Sequence, residues 1–485
     1  MEIKNYFNDY KKYMLIYLVF VVIFLFAMYN KKIFEQYHIK VILLCFVAIL
    51  GLTGIYYSYK NENQLHKIGL VLIIIFGLIM VFLAPPMAFP DEAVHFTRAE
   101  LISEGQLYPE ISDKGVYVND YYFNMNQAQN SSTVLNANFN NPITDHKGYW
   151  DHTTDTPFYS YILSALGILL AKILNLTEIW ALYFARIANL LLYGLVAYFM
   201  IKTIPKFKLP LLIIATIPLC ISQASSLSYD AFILTFSLII ITYFVKMYCG
   251  EINEKNLAIF FVSILLISLI KPPYIILSFL TLILPYENQK YKKYSLIISI
   301  ILIIITILSI SSIFTSLFAQ TVPTSTVSRA GQMQFIMSNP SILIDLGKNI
   351  IVSIPDLLIM KSNYFHYADF QGFKLFNILY IIAFIAFSLF YKLDINLDKN
   401  KRIISAIIFL IIYIGVYGIL YLQWTPVGSN VILGVQTRYF LPIIFLVPLI
   451  INLKNKKIEN KEMYVLTFII IFLTGLMMLP ITHYY

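Results

Sequence analysis

The stretch IGLVLIIIFGLIMVFLA, residues 68–84, runs without a gap into PPMAFPDEAVHFTRAE, residues 85–100. The first half carries no charge and is long enough to cross a hydrocarbon layer as a helix. Pro85, Pro86 and Pro90 end that helix, because each removes a backbone donor and restricts the residue before it. Asp91 and Glu92 then open a new one, on which Asp91, His95 and Arg98 fall at i, i+4 and i+7. A carboxylate, an imidazole and a guanidinium therefore share one face, with Glu92 about 100° around. An apolar span that leads at once into dense ionisable chemistry predicts an all-α polytopic membrane protein with chemistry at its surface.

The whole chain fits that reading. Of 485 residues, 59% are hydrophobic and 13% charged, and several apolar runs reach spanning length. The net charge of +9 does not point to nucleic acid, since Lys and Arg sit in short clusters between apolar runs, as the positive-inside rule places them. Cys45, Cys220 and Cys249 form no metal or disulfide spacing and receive no role. The first apolar run has no small-residue cleavage site and reads as a retained helix. Heavy use of Ile, Asn, Lys and Tyr suggests an AT-rich bacterial genome.

Taken in order, 1–84 holds three N-terminal transmembrane helices, Tyr13 to Tyr29, Ile39 to Ser58 and Ile68 to Ala84, with Lys4, Lys11 and Lys12 placing the N-terminus inside. Residues 85–178 then form a long first extracytoplasmic loop that closes on an interfacial helix, Phe158 to Asn175. From Pro85 to Pro157 it carries ten acidic residues against Arg98, Lys114 and Lys147. Lys31, Lys32 and Lys40 fall outside on this scheme and violate the charge rule. Residues 179–485 form the transmembrane core, with a second external stretch at 315–374 that includes an interfacial helix near Ile350 to Met360. Core crossings are expected at Glu178 to Ile201, Leu209 to Ile221, Ala231 to Met247, Leu257 to Ile270, Pro272 to Pro285 and Ser295 to Phe314. Phe376 to Tyr391, Ile403 to Leu422, Phe440 to Ile451 and Met463 to Leu479 follow, which makes about 13 transmembrane helices.

Five separate places put polar outliers on the outer side: Asp91, Glu92, His95 and Arg98; Asp230; Lys271; and Arg438 with Tyr439. Acids there can take a proton from an acceptor and cations can hold a phosphate. Each residue also has a plainer reading. Asp91 and Asp230 are placed to cap helices, Lys271 to snorkel from a hairpin tip, and Arg438 to anchor a span at the interface. Arg186 and Asn189, inside a span, read as a structural contact between helices. His146, Asp151, His152 and Asp155 have irregular spacing for a metal. Tyr121, Tyr122 and Trp150 are placed to stack on a sugar ring.

The run Pro90 to Ala99 resembles the signature of the DUF2142 family of predicted bacterial membrane proteins, and Val435 to Pro442 is similar to that family's Gln-x-Arg-Tyr-Phe-Leu-Pro block. Thr156 to Tyr161, Arg186 with Asn189, Ser228 to Asp230 and Lys271-Pro272 follow in the family's order. That family in turn resembles the GT-C glycosyltransferases, whose first external loop carries an acidic pair after a span. The resemblance implies a GT-C-like bundle in the bacterial cytoplasmic membrane, active on the extracytoplasmic face. It would transfer a sugar, with inversion or retention, from a polyprenyl-phosphate donor to a cell-wall polysaccharide, teichoic acid or glycolipid acceptor. On it, Asp91 is the general base, Glu92 its neighbour or a metal ligand, and Asp230 the second acid. Arg98, Lys271 and Arg438 contact phosphate, Tyr439 joins them in binding substrate, and His95 orients Asp91 or binds the acceptor. No cofactor is assigned, and a divalent cation is compatible. Tyr13 to Lys67 departs from the GT-C pattern, which usually has one span before the loop. Two other functions are compatible with these residues: a transporter or flippase of lipid-linked saccharides, and a non-catalytic assembly partner.

Overall fold

In the computed structural model of this chain the described residues are 2–28, 37–108, 111–112, 114–121, 125, 141–144, 146–150, 156–310, 326–355, 373–453 and 462–485. Three helices open the chain: α1 (Glu2–Ala27), α2 (Tyr37–Lys60) and α3 (Leu65–Leu83). The short α4 (Glu92–Ser103) follows the prolines. Three small strands come next, β1 (Ile111–Ser112), β2 (Gly115–Asn119) and β3 (Lys147–Trp150). A 3-10 turn (Phe158–Tyr161) leads into α5 (Ile162–Ile173), and the long α6 (Glu178–Thr203) comes after it. Then come α7 (Lys208–Ala215), α8 (Pro218–Ala224), α9 (Tyr229–Tyr248), α10 (Glu254–Ser268), a 3-10 helix (Pro272–Ile283) and α11 (Gln289–Ile310). Beyond these lie α12 (Arg329–Ser338), α13 (Ile342–Val352), α14 (Phe373–Phe390) and α15 (Lys399–Gln423). A 3-10 segment (Thr437–Ile443), α16 (Leu446–Ile451) and α17 (Glu462–Tyr484) complete the chain.

The protein is an all-α polytopic membrane protein: among the described residues nine helices are long and apolar enough to cross a membrane, namely α1, α2, α3, α6, α9, α11, α14, α15 and α17. The four other expected crossings are short or broken. Leu209 to Ile221 divides into α7 and α8 around Thr216, where Pro218 removes a backbone donor. Pro272 to Pro285 is a 3-10 helix that starts on Pro272 and Pro273. Phe440 to Ile451 divides at Phe445, with Pro442 inside its first half. Leu257 to Ile270 stops at Ser268. Phe158 to Asn175 is likewise too short to belong to the nine. It lies along α6, and a Cβ on Gly167 would stand 2.6 Å from the Phe184 carbonyl carbon, so only glycine permits that approach. Lys31 and Lys32 lie outside the described residues, and Lys40 is buried.

Burial ranks the spans. α17 is the inner helix, with 83% of its span buried, whereas α1, α2 and α11 each reach 22% and turn most of their surface outward. The Tyr17 hydroxyl ties the rim to the centre, bonding the Ala48 carbonyl at 2.9 Å and Thr474 of α17 at 3.2 Å. Membrane helices gain little from burying apolar groups against one another, so such polar contacts and close backbone approaches hold them together.

The first loop contains the only β-strands among the described residues. β1, β2 and β3 form an antiparallel sheet in that order, with Ile111 opposite Val116 and Val116 opposite Trp150. Val116 and Val118 turn inward and Tyr117 outward, the period of a half-buried strand. Below the sheet, Glu100 of α4 and Glu104 at its C-cap are held by Lys172 and Asn119, and Lys147 reaches Glu104 at 2.8 Å. Tyr121 is buried edge-on to Phe96 at 5.9 Å, so it is part of this small core and does not offer a face to a sugar. Trp150 is half-buried on the sheet, and Tyr122 lies outside the described residues. In the second stretch, α12 and α13 hold the chain after α15: Gln332 accepts from Gly428 N and Asn349 from Ile432 N, both at 3.1 Å. Of the helix expected near Ile350 to Met360, residues 356–360 lie outside the described residues.

Candidate functional site

Four of the proposed site residues meet at one end of the bundle, each brought there by a helix end. Asp91 precedes α4, Asp230 is in the first turn of α9, Lys271 separates α10 from the following 3-10 helix, and Arg438 opens the segment before α16. Arg438 is the bridge. Its Nη2 pairs with Asp91 Oδ2, its Nη1 stands 3.2 Å from Asp230 Oδ2, and Nη1 also donates to the Pro90 carbonyl at 3.3 Å. Lys271 Nζ reaches the other Asp230 oxygen, Oδ1, at 3.4 Å. Two acids and two bases thus alternate in a chain whose formal charge sums to zero. Exposure is lowest in the middle of it, 1% for the Arg438 side chain and 5% for Asp230, and rises toward both ends, 14% for Lys271 and 38% for Asp91. Solvent therefore meets the cluster at Asp91.

Aromatic rings fix the cations. Lys271 Nζ sits 3.3 Å from the centroid of Tyr439 and 5.0 Å from that of Tyr229, a cation–π seat that turns it inward and not out to the interface. Tyr274 donates to the Tyr439 carbonyl at 2.8 Å. His95 lies edge-on to Tyr229 at 4.8 Å, its Nδ1 2.7 Å from the Tyr161 hydroxyl, while its buried Nε2 has no partner among the described residues. Burial pushes the His95 imidazole down to about 4, against the pull of the Asp91 carboxylate, so it is neutral at pH 7. Burial likewise pushes the Lys271 ammonium down to about 8, opposed by Asp230.

The capping roles open to the two aspartates are not the ones they take. Ser228 caps α9, its hydroxyl accepting from Asp230 N at 3.1 Å. Asp91 stands at the cap position of α4 but makes no side-chain cap bond there, and its backbone is left-handed, φ +61°. That conformation costs energy in a non-glycine residue, although Asp tolerates it better than most. It rotates Asp91 off the regular helix, so the expected Asp91, His95 and Arg98 face does not form. Asp91 turns to Arg438 and His95 to Tyr161. Arg98 is buried and donates to the Leu107 carbonyl at 2.9 Å and the Thr156 carbonyl at 3.3 Å. It ties the loop down and takes no place in the charged cluster.

Glu92 also departs from its expected role. Both of its oxygens pair with Arg186, at 2.8 and 2.6 Å, and Oε1 accepts from Leu227 N at 3.0 Å, with neither side chain exposed. Arg186 gives its other donors to the carbonyls of Val81, Ala84 and Pro85, each at 2.9 Å. Those are carbonyls of the last turn of α3 and the residues just after it, which no helix partner satisfies. The pair therefore staples α3, α4, α6 and the α8–α9 link, with both oxygens of Glu92 engaged. Asn189 extends the staple, donating to Ser226 O at 2.9 Å and accepting from Ser164 at 2.8 Å. Among the described residues no three His, Cys, Asp or Glu side chains stand together as metal ligands, and Asp151, His152 and Asp155 lie outside them.

Sequence reasoning gave no role to Tyr161, Tyr229 and Tyr274, which support His95, Lys271 and Tyr439. Their signal was adjacency alone: Tyr229 precedes Asp230 and Tyr274 follows Lys271-Pro272-Pro273. Comparison with curated proteins and with solved structures finds no match. The model of one family, described as a predicted membrane protein, matches residues 74–447, from inside α3 to α16 and so across every residue of the cluster. On that match the chain belongs to the DUF2142 family.

Proposed function

We propose that this protein is a membrane glycosyltransferase that moves a sugar from a polyprenyl-phosphate donor to an extracytoplasmic acceptor of the bacterial cell envelope. The observation that carries the reading is the half-open carboxylate of Asp91, held by Arg438 in a chain of alternating charges at one end of a membrane bundle. The opposite end is basic, with Lys202 in the last turn of α6, Lys206 beyond it and Lys208 at the start of α7, Lys290, Lys292 and Lys293 in α11 and Lys399, Lys401 and Arg402 in α15. By the positive-inside rule the Asp91 end then faces away from the cytoplasm.

In the proposed reaction the acceptor hydroxyl attacks the anomeric carbon and gives its proton to Asp91. The new C–O bond forms as the bond to the phosphate oxygen breaks, and that electron pair leaves with the phosphate. The charge balance suits this. Before reaction the two acids neutralise Arg438 and Lys271, and a proton on Asp91 brings the cluster to +1 as the leaving phosphate gains a negative charge. Arg438 would then trade its contact with Asp91 for one with the phosphate. Asp230 keeps both cations in place throughout.

The alternative, a flippase of lipid-linked saccharides, would draw support from broken helices that carry ionisable groups at mid-membrane. The break between α7 and α8 holds Thr216, whose hydroxyl bonds back to the Leu212 carbonyl at 2.7 Å, and no ionisable side chain. The test is reconstitution in vesicles with a polyprenyl-phosphate sugar. Sugar transfer that Asp91→Asn abolishes supports the enzyme, whereas lipid flipping without transfer overturns it.

A further inference from the structure

At the basic end, far in sequence from Asp91, a cavity of about 390 Å³ opens between the start of α15 and the end of α16, lined by Lys399, Arg402, Ile403, Ala406 and Ile450. Its size is that of a small-molecule site. Its polar and apolar parts are separated. Arg402 is fixed in the wall by its own donors, with Nε on the Leu397 carbonyl at 3.1 Å and Nη1 on the Asn452 carbonyl at 2.6 Å. Those partners are neutral, and among the described residues no carboxylate pairs with Arg402. Lys399, one turn earlier, is exposed, and its side chain makes no hydrogen bond or ion pair among the described residues. The nearby acid, Asp398, caps α15 by accepting from Lys401 N and lies 4.0 Å from the Lys401 ammonium.

Below this mouth the wall is apolar, and it does not stop at the cavity. Ile403, Ile407, Leu410 and Ile414 follow at helical spacing and are 48%, 49%, 53% and 54% exposed, a continuous outward stripe on α15. From Ile403 to Ile414 the helix rises about 16 Å, the scale of an extended acyl chain.

We propose that this cavity binds one anionic phospholipid, its phosphate on Arg402 and Lys399 and an acyl chain along Ile403, Ala406, Ile407 and Leu410. Charge chooses the lipid. Two cations without a carboxylate between them favour a headgroup with a net negative charge over a zwitterionic one, whose own ammonium they would repel. Arg402 supplies the fixed planar donor set that suits a phosphodiester, and Lys399 adds a mobile second charge.

Native mass spectrometry of the purified full-length chain tests this, with phosphatidylglycerol or phosphatidylcholine added at equal concentration. One phosphatidylglycerol should be retained in preference to phosphatidylcholine. Lys399→Gln, on an exposed side chain, should weaken that retention about fivefold. Ala406→Trp should abolish it by filling the apolar slot. Arg402 is left intact, because it also holds the chain at Leu397 and Asn452. Equal retention of the two lipids, or undiminished phosphatidylglycerol binding by a folded Ala406→Trp variant, overturns the proposal. Displacement of phosphatidylglycerol by inorganic phosphate alone overturns it too, since the apolar slot would then contribute nothing.

Discussion

Asp91 and Glu92 are neighbours in the chain, each paired with a buried arginine, yet the two pairs are built for different purposes. Glu92 and Arg186 are closed: neither side chain is exposed, both carboxylate oxygens are used, and the guanidinium ends on helix-terminal carbonyls. Asp91 and Arg438 are open. The acid is 38% exposed, its backbone is left-handed, and the arginine is shared with a second aspartate. A pair that satisfies every donor fixes structure, while one that divides a cation between two acids can exchange a partner at low cost. That contrast separates a staple from a site more sharply than burial does, since both arginines are buried.

The largest effect should come from the closed pair. Glu92→Gln leaves the Arg186 charge buried without its counter-ion and should cost about 3–5 kcal/mol of stability, read as thermal unfolding in detergent. Asp91→Asn removes a partly exposed partner, so its stability cost should stay below about 1 kcal/mol. The proposed sugar transfer should nevertheless fall by about 10²–10⁴-fold, the usual worth of a general base. Equal destabilisation by the two substitutions would erase the distinction between the pairs.

How far the sequence led can be judged from the same residues. Span length and charge bias located α1, α2, α3, α6, α9, α11, α14, α15 and α17, because a long uncharged run admits little else. Collecting polar outliers by side of the membrane also brought Asp91, Asp230, Lys271 and Arg438 to one end. It failed at Glu92 and Arg98, for two reasons. Helical periodicity assigns faces only within a regular helix, and the left-handed turn at Asp91 breaks the count. The partner of Glu92 is 94 positions away, and nothing local announces it. The strand pair at Val116 to Val118 was too short to stand out from a polar loop, and the breaks at Thr216 and Phe445 divide runs that hydropathy reads as continuous.

A smaller effect comes from His95, which follows Glu92 by three residues on α4 but belongs with the open pair. Its folded pKa of about 4 lies below its ordinary 6.5, so the unfolded chain takes up the proton first. Stability should therefore fall as pH drops from about 6.5 toward 4, and His95→Asn should flatten that limb in a series of melting temperatures against pH. The groups facing it are Asp91, Asp230, Arg438, Lys271, Tyr161 and Tyr229, all present in both proteins, so the difference between the two curves isolates the imidazole. The smallest effect expected is that of Tyr161→Phe, which removes one hydrogen bond to His95 Nδ1 and should cost about 1 kcal/mol. A sharpened contrast would show this variant losing transfer out of proportion to its stability.

A single peptide bond joins the two pairs, and it should make the site responsive to the thickness of the bilayer. Glu92 is held to α3 and α6 by Arg186, whereas Arg438 rides on the short segment before α16, which packs on α8, α9 and α15. Lipids longer or shorter than the bundle prefers tilt helices at modest cost. Such tilting can slide α15 and α16 against the clamp and change the Asp91 to Arg438 separation while the Glu92 pair stays intact. Transfer measured across acyl-chain lengths should then pass through a maximum, at a thickness where thermal stability shows no matching peak.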